Sequence, residues 1–195
     1  TSTDSGATWT QQTSAGSRNW QAIASNTDGT KLVAVANFGS IYTSVDAGTT
    51  WVGRSGDNTR SWNSITSSAD GTKLAAVVWG GYIYTSTDSG ATWTERASAG
   101  SRSWSSITSN SDGTKLAAVN QGGYIYTSTD SGATWTQQIA SGSLNWGTIA
   151  SSSDGSKLVA VVYGGYTFTS TDSGVTWTQR VSAGSHNWGS VASNS

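Results

Sequence analysis

The nine residues Thr85-Ser86-Thr87-Asp88-Ser89-Gly90-Ala91-Thr92-Trp93 stand again, unchanged, at 1–9 and at 127–135. Near copies begin at Thr43 (TSVDAGTTW) and Thr169 (TSTDSGVTW), and successive copies are 42 residues apart. Working outward, a second marker keeps the same spacing: a Trp after a Gly/Ser-rich loop, at Trp20, Trp62, Trp104, Trp146 and Trp188. A third, Asp-Gly-Thr/Ser-Lys-Leu, starts at Asp28, Asp70, Asp112 and Asp154. The units at 85–126 and 127–168 agree at 25 of 42 positions, which points to recent duplication or to design. A repeat of this length means that one supersecondary unit has been copied.

The second full unit spells out its strands. Trp62–Ser67 (WNSITS) alternates polar and apolar and reads as strand A. Ala69-Asp70-Gly71-Thr72 is a tight turn, with Asp-Gly supplying the positive-φ positions a hairpin needs. Lys73–Val78 (KLAAVV) is almost continuously apolar and reads as strand B, buried on both faces. Gly80-Gly81 turns the chain into strand C, Tyr82–Ser86, rich in aromatic and β-branched residues. Asp88-Ser89-Gly90 turns it again, and Thr92-Trp93-Thr94 opens strand D. The loop Ala97–Ser103 leads to the next strand A, and nothing has a helical period.

One four-stranded unit cannot bury both faces of its own sheet; sheets stacked around an axis can. The expected fold is all-β: a β-propeller of four-stranded blades, built as one domain over residues 1–195. A solenoid is the competing repeat architecture, but its units are shorter. Four units of 42 end at Phe168, and the last stops at Ser195, the equivalent of Thr27. The chain therefore reads as a D strand, four complete blades, then an A strand. The two ends would form a split, incomplete fifth blade lacking its middle strands. A five-position ring, a segment of a longer propeller, or a homo-oligomer or filament joined through the incomplete repeat are the outcomes this arithmetic allows.

Composition excludes several classes. Net charge is −1 with 11% charged residues, which argues against nucleic-acid partners and polybasic membrane binding. No apolar run of about 18 residues exists, so no membrane insertion is expected. With no Cys, disulfides and thiolate metal sites are excluded. A chain that starts at Thr1 without any Met is expected to be processed, excised or engineered, with a secretion signal absent or removed.

The motif Ser-x-Asp-x-Gly-x-Thr-Trp resembles the Asp-box, or BNR repeat, found in sialidases, sortilin-like receptors and photosystem assembly factors. The resemblance runs through all five copies and implies a propeller; the expected setting is extracellular or at a cell surface. In each box the carboxylate of Asp4, Asp46, Asp88, Asp130 or Asp172 is expected to accept backbone N–H groups across the C–D hairpin. The Gly two positions later takes a left-handed conformation. Trp9, Trp51, Trp93, Trp135 and Trp177 lie over the hairpins. One carboxylate per box is far from the six to eight oxygens that calcium needs, so no metal or cofactor is expected.

A sialidase-like site needs three arginines, a Tyr–Glu nucleophile pair and an acidic Asp. The sole glutamate, Glu95, is expected on an outer strand, far from the axial cleft. Arg18, Arg60 and Arg102 are repeat-equivalent, with Leu144 and His186 at the remaining positions, and no suitably spaced carboxylate accompanies them. No enzyme is expected. Variation between repeats concentrates on the face carrying the B–C turns and D–A loops: Asn37, Trp79, Gln121 and Tyr163 on the turns, Arg18, Arg60, Arg102 and His186 on the loops. These are the candidate ligand-binding residues of a non-catalytic, lectin-like or protein-binding module, with exposed Trp79 and Tyr163 as stacking platforms. The Trp20, Trp62, Trp104, Trp146 and Trp188 series is expected to pack between blades. The alternatives are a ligand-free self-assembling repeat scaffold and, more weakly, a sialidase-like hydrolase.

Overall fold

The computed structural model describes residues 1–54 and 60–193. Among these, four antiparallel four-stranded units follow one another. The first is β1 (Trp20–Ser25), β2 (Leu32–Gly39), β3 (Ile41–Ser44) and β4 (Val52–Gly53). The second is β5 (Arg60–Ser67), β6 (Leu74–Gly81), β7 (Ile83–Ser86) and β8 (Thr94–Arg96). The third is β9 (Arg102–Ser109), β10 (Leu116–Asn120), β11 (Ile125–Ser128) and β12 (Thr136–Gln138). The fourth is β13 (Trp146–Ser151), β14 (Leu158–Gly165), β15 (Thr167–Ser170) and β16 (Thr178–Arg180), followed by the short β17 (His186–Asn187). Each strand pairs with its sequence neighbour, so every unit is a meander.

The inner strands depart from simple alternation. Trp62 and Ile65 are three residues apart, which strict pleating would put on opposite faces. A β-bulge between Trp62 and Ser64 inserts the extra residue, so Trp62 pairs with Val78 and Ile65 with Ala76. Both then pack into one cluster with Val33, Val35 and Ile41 of the preceding unit. The same bulge follows Trp20 and Trp146. Two further sequence expectations shift. The outer strand begins at Thr94 rather than Thr92, because Thr92 and Trp93 still close the turn. One-turn 3-10 helices, such as Ala97–Ala99 and Ile139–Ser141, follow the outer strands.

The core lies between sheets. Ala75, Val77 and Ile83 of unit two meet Trp104, Ile107, Leu116 and Tyr126 of unit three. Ala117, Val119 and Ile125 meet Trp146, Ile149, Leu158 and Val162 in the same way. Trp62, Trp104 and Trp146 are 2%, 0% and 0% exposed, so the loop tryptophans are junction residues. The ends of β2, β6 and β14 outrun their own sheets and pair with the start of the next inner strand, as in Trp79 with Ser103 and Gly81 with Arg102.

Inner strands of successive units lie side by side. Asn63 Nδ2 donates to the carbonyls of Trp104 and Ser105, both at 3.1 Å. At one end, turn hands to turn: Thr27 N–H to Ala69 O, Ala69 N–H to Ser111 O, Ser111 N–H to Ser153 O. Ser25, Ser67, Ser109, Ser151 and Ser193 line one polar mouth of about 420 Å³ there. Five equivalent residues around a single opening are the signature of an axial arrangement.

The terminal strands expected from the repeat are not formed as read: residues 10–12 and 188–193 are not strand, and among the described residues only β17 (His186–Asn187) forms in the last unit. Thr1 and Thr10 exchange backbone hydrogen bonds, and an added Cβ on Gly48 would meet Thr1 Cγ2 at 3.2 Å. Thr43 and Thr85 hold the equivalent positions against Gly90 and Gly132. Residues 1–12 thus sit against unit one as a C–D turn. No helix is long and apolar enough to cross a membrane among the described residues.

Candidate functional site

The repeated acidic turn lies at the same end as the A–B turns, since Ser89 N–H donates to Thr72 O and Ser131 N–H to Thr114 O. Its atoms are fully engaged. Ser86 Oγ accepts the Gly90 N–H at 2.9 Å and donates to Asp88 Oδ1 at 2.7 Å. Asp88 Oδ1 also accepts the Thr92 N–H, and Oδ2 accepts the Thr92 hydroxyl at 2.6 Å. Trp93 Nε1 donates to Gly90 O at 3.2 Å. Gly90 sits at φ +84°, with Ser89 before it at +57°. The Thr92 hydroxyl, then its N–H, then Ser86 hold the Asp88 carboxyl down to about 2. Asp4, Asp46, Asp130 and Asp172 are locked in the same way. A carboxylate with both oxygens bonded within its own turn closes a hairpin; it has no proton to give near neutral pH. Ser86→Ala should remove the partner of a buried N–H and destabilise the fold by about 1–3 kcal/mol. Denaturant unfolding checks this, and an unchanged midpoint would refute the assignment.

The opposite end carries the variable residues. The B–C turns and D–A loops are tied together there: Ser101 Oγ donates to Gly80 O, Ser143 Oγ to Gly122 O and Ser185 Oγ to Gly164 O. Trp79 and Tyr163 stand 42% and 58% exposed at equivalent turn tips, and Gln121 is exposed at the third. Asn37, at the fourth, is only half-buried, yet its Oδ1 is enclosed with no hydrogen-bond partner. His186 is exposed and meets Trp188 edge-on at 5.4 Å.

The three arginines are engaged by their own units. Arg18, Arg60 and Arg102 lie over the rings of Tyr42, Tyr84 and Tyr126 at 4.4, 4.8 and 4.7 Å. Arg18 and Arg102 also donate Nε to Ala15 O and Ala99 O. Each guanidinium stacks on a tyrosine of its own sheet.

Two features escaped sequence reading. Phe38, 70% exposed, stands where other units have Gly80, Gly122 and Gly164, and it adopts φ +53°. Its signal was present as the broken Gly-Gly rule. A large residue held in a left-handed turn is strained, and here it adds a third exposed aromatic to the loop face. The second is a tyrosine–glutamate pair. Tyr84 OH donates to Glu95 Oε2 at 2.6 Å and accepts from Arg60 Nε at 3.0 Å. Burial, then Glu95, push the Tyr84 hydroxyl above its usual value. The equivalent Tyr126 donates to Gln137 at 3.0 Å, so the pair is one variant of a cross-strand contact. Glu95 lies on outer strand β8, away from the polar axial mouth.

An open apolar groove of about 600 Å³ lies elsewhere, between residues 1–15 and unit one, lined by Trp9, Trp20, Ile23, Leu32 and Trp51. No group of three or more His, Cys, Asp or Glu suited to a metal occurs among the described residues.

No family model matches the chain, and no curated protein matches it. Solved structures do. A chain from a nidogen/laminin complex is 15% identical with TM-score 0.70, covering 90% of this chain and 68% of that one. A GH74 xyloglucanase from Xanthomonas campestris is 16% identical with TM-score 0.69, covering 89% and 33%. A YCF48 protein bound to a D1 peptide is 18% identical with TM-score 0.64, covering 83% and 54%. The chain thus spans about half of that YCF48 protein and a third of that xyloglucanase. Likeness at such identities concerns architecture alone: this chain has the all-β, antiparallel fold of propeller-type proteins.

Proposed function

We propose that the chain is a non-catalytic binding module, secreted or at a cell surface, that takes a glycan or a protein segment on its B–C/D–A loop face. Four complete blades and a split fifth, in repeats of 42 residues closed by Asp-box turns, form its frame. The observation that carries the reading is the set of exposed rings, Phe38, Trp79 and Tyr163, held at the tips of hydrogen-bonded turns. Flat rings on rigid supports stack on sugar faces and anchor protein partners with little ordering cost. The peptide-bound YCF48 structure lends weight to a protein ligand.

Screening on glycan and peptide arrays, followed by Trp79→Ala, tests this. A ligand found on either array should bind about tenfold more weakly or worse to the variant. Equal binding, or no ligand on either array, would refute it. Against catalysis stand the turn-locked aspartates and the raised Tyr84 hydroxyl; turnover of a fluorogenic sialoside would overturn that part. A second reading, a ligand-free self-assembling scaffold, draws on Ile23, 62% exposed where Ile65, Ile107 and Ile149 are buried.

A further inference from the structure

We infer that the loop face holds a neutral, extended oligosaccharide, laid across the junctions of units two, three and four with the Trp79 and Tyr163 rings as its end supports. This rests on the reading of that face as a binding surface and narrows it to one ligand class. The turn that carries Trp79 crosses onto the next inner strand, where Trp79 pairs directly with Ser103. From the other side Gln121 N–H donates to Ser103 O at 3.0 Å, and Tyr163 N–H donates to Asn145 O at 2.8 Å. The Gly123–Leu144 bridge joins these two pairs of strands. Trp79, Ser103, Gln121, Asn145 and Tyr163 therefore form one lateral row, each on the strand beside the last. Residues directly opposed across a ladder project to the same side. Strands about 4.8 Å apart put Trp79 and Tyr163 about 19 Å from each other along the row, the reach of a short linear oligosaccharide rather than of one sugar ring.

The residues between the rings are polar and uncommitted. Gln121 and Asn145 are exposed and Ser103 is half-buried, and among the described residues none of these three side chains has a hydrogen-bond partner. Their loop neighbours are spent on structure: Ser101 and Ser143 donate Oγ to Gly80 O and Gly122 O. A sugar ring takes a flat apolar support under its C–H face and donors and acceptors beside its hydroxyls. The row offers a ring at each end, with one hydroxyl and two amides between them.

Other occupants fit less well. An extended peptide gains affinity by adding to a free strand edge, but backbone groups along this row are already paired with one another. A folded protein partner anchors on a contiguous apolar centre, and here polar residues part the two rings. No acidic or basic side chain stands in the row. Arg102, beside it in sequence, is held over the Tyr126 ring at 4.7 Å with its Nε on Ala99 O, and His186, beyond Tyr163, meets Trp188 edge-on. A charged glycan would find no counter-charge along the row, so the ligand is neutral.

The test titrates the 195-residue chain with cello- and manno-oligosaccharides, from monosaccharide to hexasaccharide, by calorimetry. Affinity for at least one series should rise about tenfold or more from mono- to tetrasaccharide and then level off, because the second ring is engaged intramolecularly. Trp79→Ala and Tyr163→Ala should each abolish that rise. Melting temperatures should not change, since both rings are exposed. Gln121→Ala should weaken tetrasaccharide binding and keep the dependence on length. Val175→Ala, exposed in an acidic turn at the opposite end, should change nothing. Affinity independent of length, or a rise that survives the loss of either ring, would overturn the proposal and leave the binding face standing. So would binding of a peptide or of oligogalacturonate, lost in Trp79→Ala, with neither neutral series bound. No binding of either neutral series would also overturn it, and the glycan and peptide arrays would then decide the wider reading.

Discussion

Trp104→Ala is expected to lower stability by about 3–5 kcal/mol, and Trp20→Ala by far less, although the two residues occupy the same place in the repeat. Trp104 is fully buried, in edge-on contact with Tyr126 at 5.2 Å. It is enclosed by Ala75, Val77 and Ile83 on one side and by its own sheet on the other. Truncation leaves a cavity that two sheets border and neither can close. Trp20 makes the same edge-on contact with Tyr42, also at 5.2 Å, but its other side opens on the groove. Removing it exposes little that was dry. Guanidinium unfolding followed by circular dichroism checks the pair. Equal losses would mean that the junctions do not hold the molecule together.

Acid should unfold the protein between about pH 4 and pH 2. Nine aspartates of the described residues, at 4, 28, 46, 70, 88, 112, 130, 154 and 172, have carboxyls held below their ordinary value of 3.8. The leading cause in each is a side-chain hydroxyl of the same turn. A carboxyl whose folded value is depressed contributes stability that is fully present above its unfolded value, and that contribution is lost as pH falls through the folded one. The window therefore runs from 3.8 down to about 2. Asp88→Asn keeps an oxygen for the Thr92 N–H but gives up the charge and the acceptor for the Thr92 hydroxyl. It should reduce stability at pH 6, flatten the acid limb, and leave stability at pH 2 close to that of the parent chain. Denaturant midpoints across the pH range measure this; parallel curves for the two proteins would rule out the turn carboxylate as the source.

What the sequence made legible was local or periodic. The Ser/Asp/Gly/Thr/Trp turn closes through atoms within eight residues, so its bonds follow from residue types alone. The tryptophans at 62, 104 and 146 could be assigned to junctions because the repeat forces a shared environment. The bulge after Trp62 was less visible, since WNSITS passes for simple alternation until Trp62 and Ile65 must share a face. The arginine–tyrosine stacks were hidden because Arg60 and Tyr84 meet across strands 24 residues apart. For residues 10–12 no local pattern suffices, because the identical residues 136–138 form a strand paired with β11.

The three junctions between the described units are made from equivalent residues in the same register, and this bears on how the chain finds its order. The apolar back of unit one matches the front of unit three nearly as well as that of unit two. Correct succession is then enforced by tethers such as Ala97–Ser101, which are too short to let a unit skip its neighbour. Mispairing between units is a kinetic hazard of such chains. A longer tether would leave each contact intact and yet permit shuffled arrangements: in this molecule, linker length rather than surface recognition encodes sequence in space.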